Sequence, residues 1–191
     1  MNERLGATIA VTLTPDALRR VRGGHPWVFD RSVVRAPATA ATGDLAVVFD
    51  ARQRFAAIGL YDATSPIRIR ILHHGKPTTV DTDFLRARMA GAVERRSEFT
   101  SDRRTTAYRL VHGENDALPG LVVDRYDTSV VISLDTAAWL PHLDRVVAVA
   151  ADLLEPERIV LRTSRTVANA ATTPPFPSAA VGVPADAGHA G

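Results

Sequence analysis

Two arginines stand two residues apart in the run Ile67–Leu72, which reads IRIRIL. Because alternate side chains of a β-strand point to opposite faces, this pattern puts the isoleucines on one face and Arg68 and Arg70 together on the other. Two guanidinium groups about 6.6 Å apart on a rigid strand suit successive phosphates of a nucleic-acid backbone. The pattern is equally typical of an outer strand face kept soluble by charge, and the sequence leaves both interpretations open.

A second candidate lies upstream, where the run RRVRGGHP carries three arginines into a pair of glycines. Arg20 and Arg22 precede Gly23 and Gly24, and His25 follows. Glycine lets a ligand approach the backbone closely, and amide groups in such a turn can bind phosphate. A lone histidine without a carboxylate partner is poor evidence for acid–base catalysis, so His25 is interpreted as a turn residue or a ligand contact.

Glu114 and Asp116 form a pair of carboxylates that could serve acid–base or metal chemistry. They lie in the run GEND, which is turn chemistry, and Pro119-Gly120 is a further turn signal. We therefore expect a structural role for this loop. The aromatic residues Trp27 and Phe29, which follow His25, are predicted to lie in the barrel core rather than to act as platforms on which bases stack. Weaker candidates for phosphate contacts are Arg103, Arg104 and Arg109.

Composition excludes several kinds of function. The chain has 191 residues, of which 46% are hydrophobic and 23% charged, as expected for a globular protein. It contains no cysteine, which excludes disulfides, thiolate metal sites and thiol nucleophiles. We expect no membrane span, because no apolar run approaches 18 residues, and no signal peptide. A cytoplasmic location is the resulting expectation.

Charge is distributed unevenly. Residues 1–76 carry eleven Arg and Lys against six Asp and Glu, whereas residues 77–163 carry eleven against fourteen. A basic module joined to an acidic one indicates that the first module meets a polyanion such as RNA. A chance imbalance of surface charge is the alternative.

The pattern of elements predicts a mixed fold. Residues 1–76, the first module, combine a short helix after Thr14 with several short strands, which is typical of a small β-barrel. Residues 77–163, the second module, are predicted as an α+β domain. Its first helix is capped by Asp81 or Thr82, and its second spans Leu140–Leu154. Residues 164–191 are rich in proline and alanine, and disorder is expected there.

Four runs carry a resemblance to a known family. They are YRLVHGENDALPGLVVDRY at Tyr108–Tyr126 and, upstream of it, RRVRGGHPWVF at Arg19–Phe29, GDLAVVFD at Gly43–Asp50 and the IRIRIL strand at Ile67–Leu72. Together they resemble the PUA-containing, S-adenosylmethionine-dependent rRNA methyltransferases of the large subunit methyltransferase I type. The resemblance covers roughly residues 9–163. It implies a PUA-like barrel followed by a linking domain, with the catalytic domain absent from this chain.

The resemblance also implies roles for particular residues. In PUA domains the helix and the glycine-containing loop form part of the RNA-binding surface, a role that falls here on Arg20, Arg22, Gly24 and His25. The loop at 114–116 would line the junction with the catalytic domain. Members of the family methylate ring carbon five of cytosine through a cysteine thiolate. We expect this chain alone to be inactive and to bind no cofactor, because it has no cysteine and no glycine-rich S-adenosylmethionine motif.

Two functional hypotheses remain open. In the first, the chain is the RNA-binding portion of an rRNA methyltransferase, recognising structured rRNA without its catalytic domain, and the tail reflects a truncation or frameshift. In the second, it is a self-contained RNA-binding protein or an accessory subunit that serves a methyltransferase domain in trans. A non-nucleic-acid interaction domain is a third, less favoured interpretation.

Overall fold

The computed structural model describes residues 5–101 and 104–170. The first module contains one α-helix and six strands, as the alternation of apolar runs and turn residues predicts. These elements are β1 (Thr8–Leu13), α1 (Pro15–Arg22), β2 (Trp27–Phe29), β3 (Val33–Arg35), β4 (Leu45–Phe49), β5 (Phe55–Tyr61) and β6 (Ile67–His74).

These six strands form one curled sheet in the order β2-β6-β5-β4-β1-β3, with β2 and β3 at its two edges. β1 and β4 run parallel, and the other neighbours are antiparallel. The concave side encloses a core that includes Val11, Val28, Val48 and Ile69. The sheet is thus a half-barrel, in agreement with the predicted small barrel.

Helix α1 closes one side of this core and ends at a glycine turn. The Thr14 side chain accepts a hydrogen bond from the Ala17 N–H and caps the helix, and Ala17 and Val21 are buried. The chain leaves the helix through Gly24, whose φ of +92° favours glycine. This turn delivers the chain into the edge strand β2.

The second module packs helices against one face of a four-stranded sheet of order β10-β9-β8-β7. Asp81 caps its first helix, as predicted. The elements are α2 (Thr82–Glu94), α3 (Ser97–Ser101), β7 (Ala107–His112), β8 (Leu121–Tyr126), β9 (Ser129–Leu134), α4 (Leu143–Leu154) and β10 (Arg158–Thr163).

The helix predicted over Leu140–Leu154 begins later than expected. A 3-10 turn covers Ala137–His142 and contains Pro141, and α4 starts at Leu143. Proline lacks the N–H that a regular helix needs beyond its first turn, so the regular α-helix begins only after it.

One continuous core joins the two modules. Strands β4 and β5 read LAVVF and FAAIGLY and are buried along nearly their whole length. One face of them belongs to the half-barrel interior, and the other packs on the second module. The first module contributes Leu5, Leu45, Val47, Ile58, Leu60 and Leu72 to the core that also holds most buried residues of the second module.

The prediction of disorder from residue 164 is wrong for the first part of that segment. Helix α5 (Arg165–Ala170) follows β10, and Val167 is buried in the shared core. A single apolar side chain placed against an existing core holds this turn, which composition alone does not reveal. Residues 171–191 lie outside the described residues. Among the described helices, none is long and apolar enough to cross a membrane.

Candidate functional site

The end of α1, the glycine turn and strand β2 form one exposed surface. We call it the α1–β2 surface and define it by Arg20, Gly24, His25, Trp27 and Phe29. A groove of about 140 Å³ runs through it. The groove is lined by Asp16, Ala17, Arg20, His25, Trp27, Val28, Phe29 and Ser32.

Gly24 and His25 shape the floor of this surface. A Cβ placed on Gly24 would meet nothing within 4 Å, so the space above its backbone is open to a ligand. The His25 N–H donates to the carbonyl oxygen of Arg20 at 3.0 Å. The Trp27 N–H donates to His25 Nδ1 at 3.2 Å. The turn is thereby fixed by one backbone hydrogen bond and one to the His25 imidazole, while its outer side stays accessible.

The two arginines of this segment differ in availability. Arg20 pairs through Nε with Asp16 at 2.9 Å, and its side chain is 65% exposed. Such exposed pairs contribute little energy, so Arg20 can turn towards a phosphate. Arg22 instead donates to the buried carboxylate of Asp50 at 2.6 Å. It therefore ties the end of α1 to the β4–β5 turn.

Asp50 is an anchor for that turn. The Arg54 N–H is the main cause that holds the pKa of Asp50 far below its ordinary value; burial opposes this, and the Arg22 and Arg54 guanidinium groups reinforce it. The carboxylate remains charged throughout the physiological range. Arg22 consequently has a structural partner in addition to any ligand.

Trp27 and Phe29 are not core residues, contrary to the expectation from sequence. They are 36% and 44% exposed, and only Val28 between them is buried. The sequence of a three-residue strand does not show which of its faces is buried, so hydrophobicity alone led to the wrong prediction. The exposure of Trp27 and Phe29 follows from side-chain alternation once β2 is known to be an edge strand.

Arg68 and Arg70 do not form the free pair that strand alternation suggested. Arg68 Nη1 donates to the carbonyl oxygen of Asp62 at 2.9 Å, and its guanidinium lies over the Tyr61 ring. Arg70 is only 8% exposed, because the second module covers this end of β6. The outward face of the strand is thus an interface between the modules at Arg70. Alternation of side chains along a strand cannot distinguish such an interface from a face exposed to solvent.

Glu114 connects the two modules at the rim of the α1–β2 surface. Its Oε1 accepts a hydrogen bond from the Trp27 indole Nε1 at 2.7 Å and another from Arg70 Nη1 at 3.2 Å. Arg70 and Trp27 are neighbours across β6 and β2. Glu114 therefore serves a junction within this chain; the junction with a catalytic domain stays a prediction.

Asp116 has the structural role expected for this loop. Burial would raise the pKa of the Asp116 carboxyl, but hydrogen bonds from Arg95, Arg96 and the His112 N–H outweigh it and lower the pKa below its ordinary value. The donors lie 2.6–3.1 Å from the carboxylate oxygens. Asp116 thus organises the turn that presents Glu114.

The remaining candidates do not form a second site. Arg109 is engaged with Asp124 at 2.7 Å, Arg104 has interactions of its own, and Arg103 lies outside the described residues. Within residues 5–101 and 104–170, no cluster of three or more histidine, aspartate or glutamate side chains could hold a metal ion.

S-adenosylmethionine, the cofactor implied by the resemblance, does not fit the described part of the chain. In doubly wound folds such a ligand rests on a glycine-containing turn between a strand and a helix. Two strands of the four-stranded sheet, β9 and β10, lead into helices, and neither connection contains glycine. No step of methyl transfer is therefore assigned to these residues.

Comparison with known proteins identifies the class of the first module. Residues 11–74 match the model of the PUA-like domain, and this range contains the whole α1–β2 surface. The chain carries a PUA-like domain.

Over most of its length the chain is similar to ribosomal RNA large subunit methyltransferases. It is 46% identical over 155 residues to the ribosomal RNA large subunit methyltransferase of Deinococcus radiodurans, covering 79% of this chain and 38% of that protein. It is 33% identical over 137 residues to ribosomal RNA large subunit methyltransferase I of Alteromonas mediterranea, covering 72% and 34%. It thus spans little more than a third of either relative.

Solved structures share the fold. A protein from Streptococcus mutans described as a SAM-dependent methyltransferase superposes with a TM-score of 0.72 at 15% identity, covering 81% of this chain and 40% of that one. A second, described as a methyltransferase complexed with SAH, gives a TM-score of 0.71 at 15% identity and covers 84% and 41%. At this identity the likeness concerns the fold alone.

Proposed function

We propose that this chain recognises structured RNA of the large ribosomal subunit through the α1–β2 surface, as the RNA-binding part of an S-adenosylmethionine-dependent rRNA cytosine methyltransferase. The observation that carries the proposal is the placement of an open glycine turn, an exposed arginine and two exposed aromatic rings on one face of the PUA-like domain. Phosphate suits the arginine and the turn amides, and bases suit the rings.

Among the residues suggested by sequence, Arg20, Gly24 and His25 are the best placed for RNA. Arg22 and Arg68 contribute positive charge from the margins of the surface. Arg70 supports the surface from behind, because it is buried against Glu114. Methyl transfer itself requires a cofactor domain and a cysteine thiolate, and these must come from outside the 191 residues, which contain no cysteine.

A second candidate function is that of an independent RNA-binding protein or accessory subunit. The shared core favours it, because the two modules bury their apolar faces against each other. In that case a methyltransferase domain would be supplied by another chain. Either function would place the protein with ribosomal RNA in the cytoplasm.

Matched charge removals test the proposed surface. Arg20→Gln removes a positive charge from it, whereas Arg158→Gln removes one from the exposed start of β10 in the second module. We expect Arg20→Gln to weaken binding of a large-subunit rRNA fragment and to lower the slope of log affinity against log salt by about one. Equal behaviour of the two variants would contradict this location.

A further inference from the structure

The outward side of strand β2 displays two large aromatic rings in the more basic module of the chain. Trp27 and Phe29 lie two residues apart on the same face of the strand, and both are exposed. Side chains at this spacing stand about 6.6 Å apart. Two neighbouring exposed rings bordered by polar residues form an apolar patch of the kind that marks an interaction site, so their position at the α1–β2 surface points to a contact.

Trp27 is held in place more firmly than an ordinary exposed side chain. Its indole Nε1 donates to Glu114 Oε1 at 2.7 Å. Its ring meets that of His25 edge to face, with the centroids 6.3 Å apart. The partner of the indole belongs to the second module and stands 87 residues away in sequence. The ring orientation is therefore set from outside the PUA-like domain.

Glu114 is itself fixed by a buried cation. Arg70 Nη1 donates to the same oxygen that accepts from Trp27, and the Arg70 side chain is 10% exposed. Arg70 Nε is buried without a hydrogen-bond partner among the described residues, so the guanidinium depends on Glu114 for compensation.

We infer that Trp27 stacks on an unpaired base of the bound RNA, and that Glu114 of the second module is the positioning residue that orients the indole for this contact. The inference rests on the proposed function and adds to it the kind of nucleotide recognised. The groove beside Trp27 holds about 140 Å³, which suits one planar ring. Arg20, which also lines the groove, is placed for the adjoining phosphate. RNA is the partner because the groove combines aromatic and basic walls.

Tryptophan fluorescence tests the stacking contact directly. The chain has two tryptophans, and Trp139 is buried with 1% exposure, so it serves as an internal reference. We expect a single-stranded 12-residue oligoadenylate to quench Trp27 emission. A 12-base-pair RNA duplex should bind through its phosphates without quenching, since its bases are already stacked. Trp27→Ala should weaken oligoadenylate binding between about fivefold and 150-fold.

Several results would overturn the stacking contact. Equal quenching by the duplex, or parent-like oligoadenylate affinity of Trp27→Ala, would do so. If Arg20→Gln nonetheless weakens rRNA binding, the RNA surface stands and only the stacking role of Trp27 fails. If neither RNA quenches the emission and light scattering shows self-association, the aromatic rings serve contacts between copies of the chain.

Two conservative variants separate positioning from charge at Glu114. Glu114→Asp keeps the negative charge but withdraws the carboxylate from the indole and from Arg70 alike, because both donate to the same oxygen. Glu114→Gln removes the charge but keeps an acceptor within reach of the indole. Trp27→Phe lacks the indole N–H. We expect Glu114→Asp to weaken oligoadenylate binding as much as Trp27→Phe does. The double variant should bind no worse than Trp27→Phe alone, and Glu114→Gln should retain most of the affinity.

The opposite patterns exclude a positioning role. Parent-like binding by Glu114→Asp would show that the tether does not matter. Equal losses in Glu114→Asp and Glu114→Gln, or additive losses in the double variant, would show that Glu114 acts independently of the indole. Thermal unfolding of each variant verifies that the fold is intact before binding is compared.

Discussion

The imidazole of His142 donates a hydrogen bond from Nε2 to the carbonyl oxygen of Gly43 at 2.7 Å, across 99 residues of sequence. A second buried link joins the modules nearby, where Thr136 Oγ1 donates to Asp62 Oδ2 at 2.7 Å. Because buried polar groups need such partners, these contacts fix the orientation of the half-barrel on the second module. The orientation matters for function, since Glu114 reaches Trp27 only in this arrangement.

The stability of the protein should depend on the protonation of His142. Burial is the main cause that lowers the pKa of His142 below 6.5, and the hydrogen bond to Gly43 opposes it. The unfolded chain therefore binds the proton first, so the free energy of unfolding decreases as the pH falls below about 6.5. Urea unfolding should show that the free energy of unfolding decreases less between pH 7.5 and pH 5.5 in His142→Gln than in the parent protein. An identical loss would exclude His142 as the titrating group.

The close approach of the modules at Gly43 should not tolerate a side chain. A Cβ there would lie 2.6 Å from Pro141 Cγ, and the φ of Gly43 is +100°. Gly24→Ala is the matched control, because Gly24 has a similar φ but open space around it. Backbone strain should cost each variant about 1–2 kcal/mol, and Gly43→Ala should lose a further 1–3 kcal/mol or so through overpacking. If Gly43→Ala and Gly24→Ala have equal free energies of unfolding, Pro141 can move to accommodate the added side chain.

Removal of the Asp116 carboxylate should destabilise the second module strongly. Its side chain is 2% exposed and receives the guanidinium groups of Arg95 and Arg96. Since Asp116→Ala leaves Arg96 partly buried and uncompensated, we expect a loss of about 3–5 kcal/mol in unfolding free energy. Asp124→Ala, which breaks the more exposed pair with Arg109, should cost about 1 kcal/mol or less. Similar costs for both would contradict a structural role for Asp116.

The two modules should unfold in a single transition. Isolation of residues 1–76 would expose the six buried aliphatic side chains that the first module gives to the shared core. At roughly 1.5–3 kcal/mol each, their burial contributes about 9–18 kcal/mol, comparable with the whole stability of an ordinary domain. We expect the isolated module to bind a hydrophobic dye and to lose its cooperative thermal transition. A fragment as stable as the full chain would show that the modules are independent.

Local signals in the sequence predicted much of this fold. Thr14 and Asp81 cap helices where expected, and the apolar runs of β4, β5 and β6 form strands. These features depend on neighbours along the chain, which a sequence displays directly. The chain break at Gly23–Gly24 was recognisable for the same reason.

The orientation of side chains towards the other module could not be predicted in the same way. Alternation places Arg70 and Trp27 on a common face, but it does not reveal that Glu114 covers one and leaves the other exposed. That outcome depends on how two distant sheets pack. The exposure of Trp27 and Phe29 becomes predictable only once β2 is known to be an edge strand.

Titration of the chain with a large-subunit rRNA fragment at low and moderate salt tests the central claim most directly. RNA recognition by phosphate contacts predicts an affinity that falls steeply with salt, a selective loss in Arg20→Gln, and no change when S-adenosylmethionine is added. An affinity that does not respond to salt, or no binding at either concentration, would contradict RNA recognition by the α1–β2 surface.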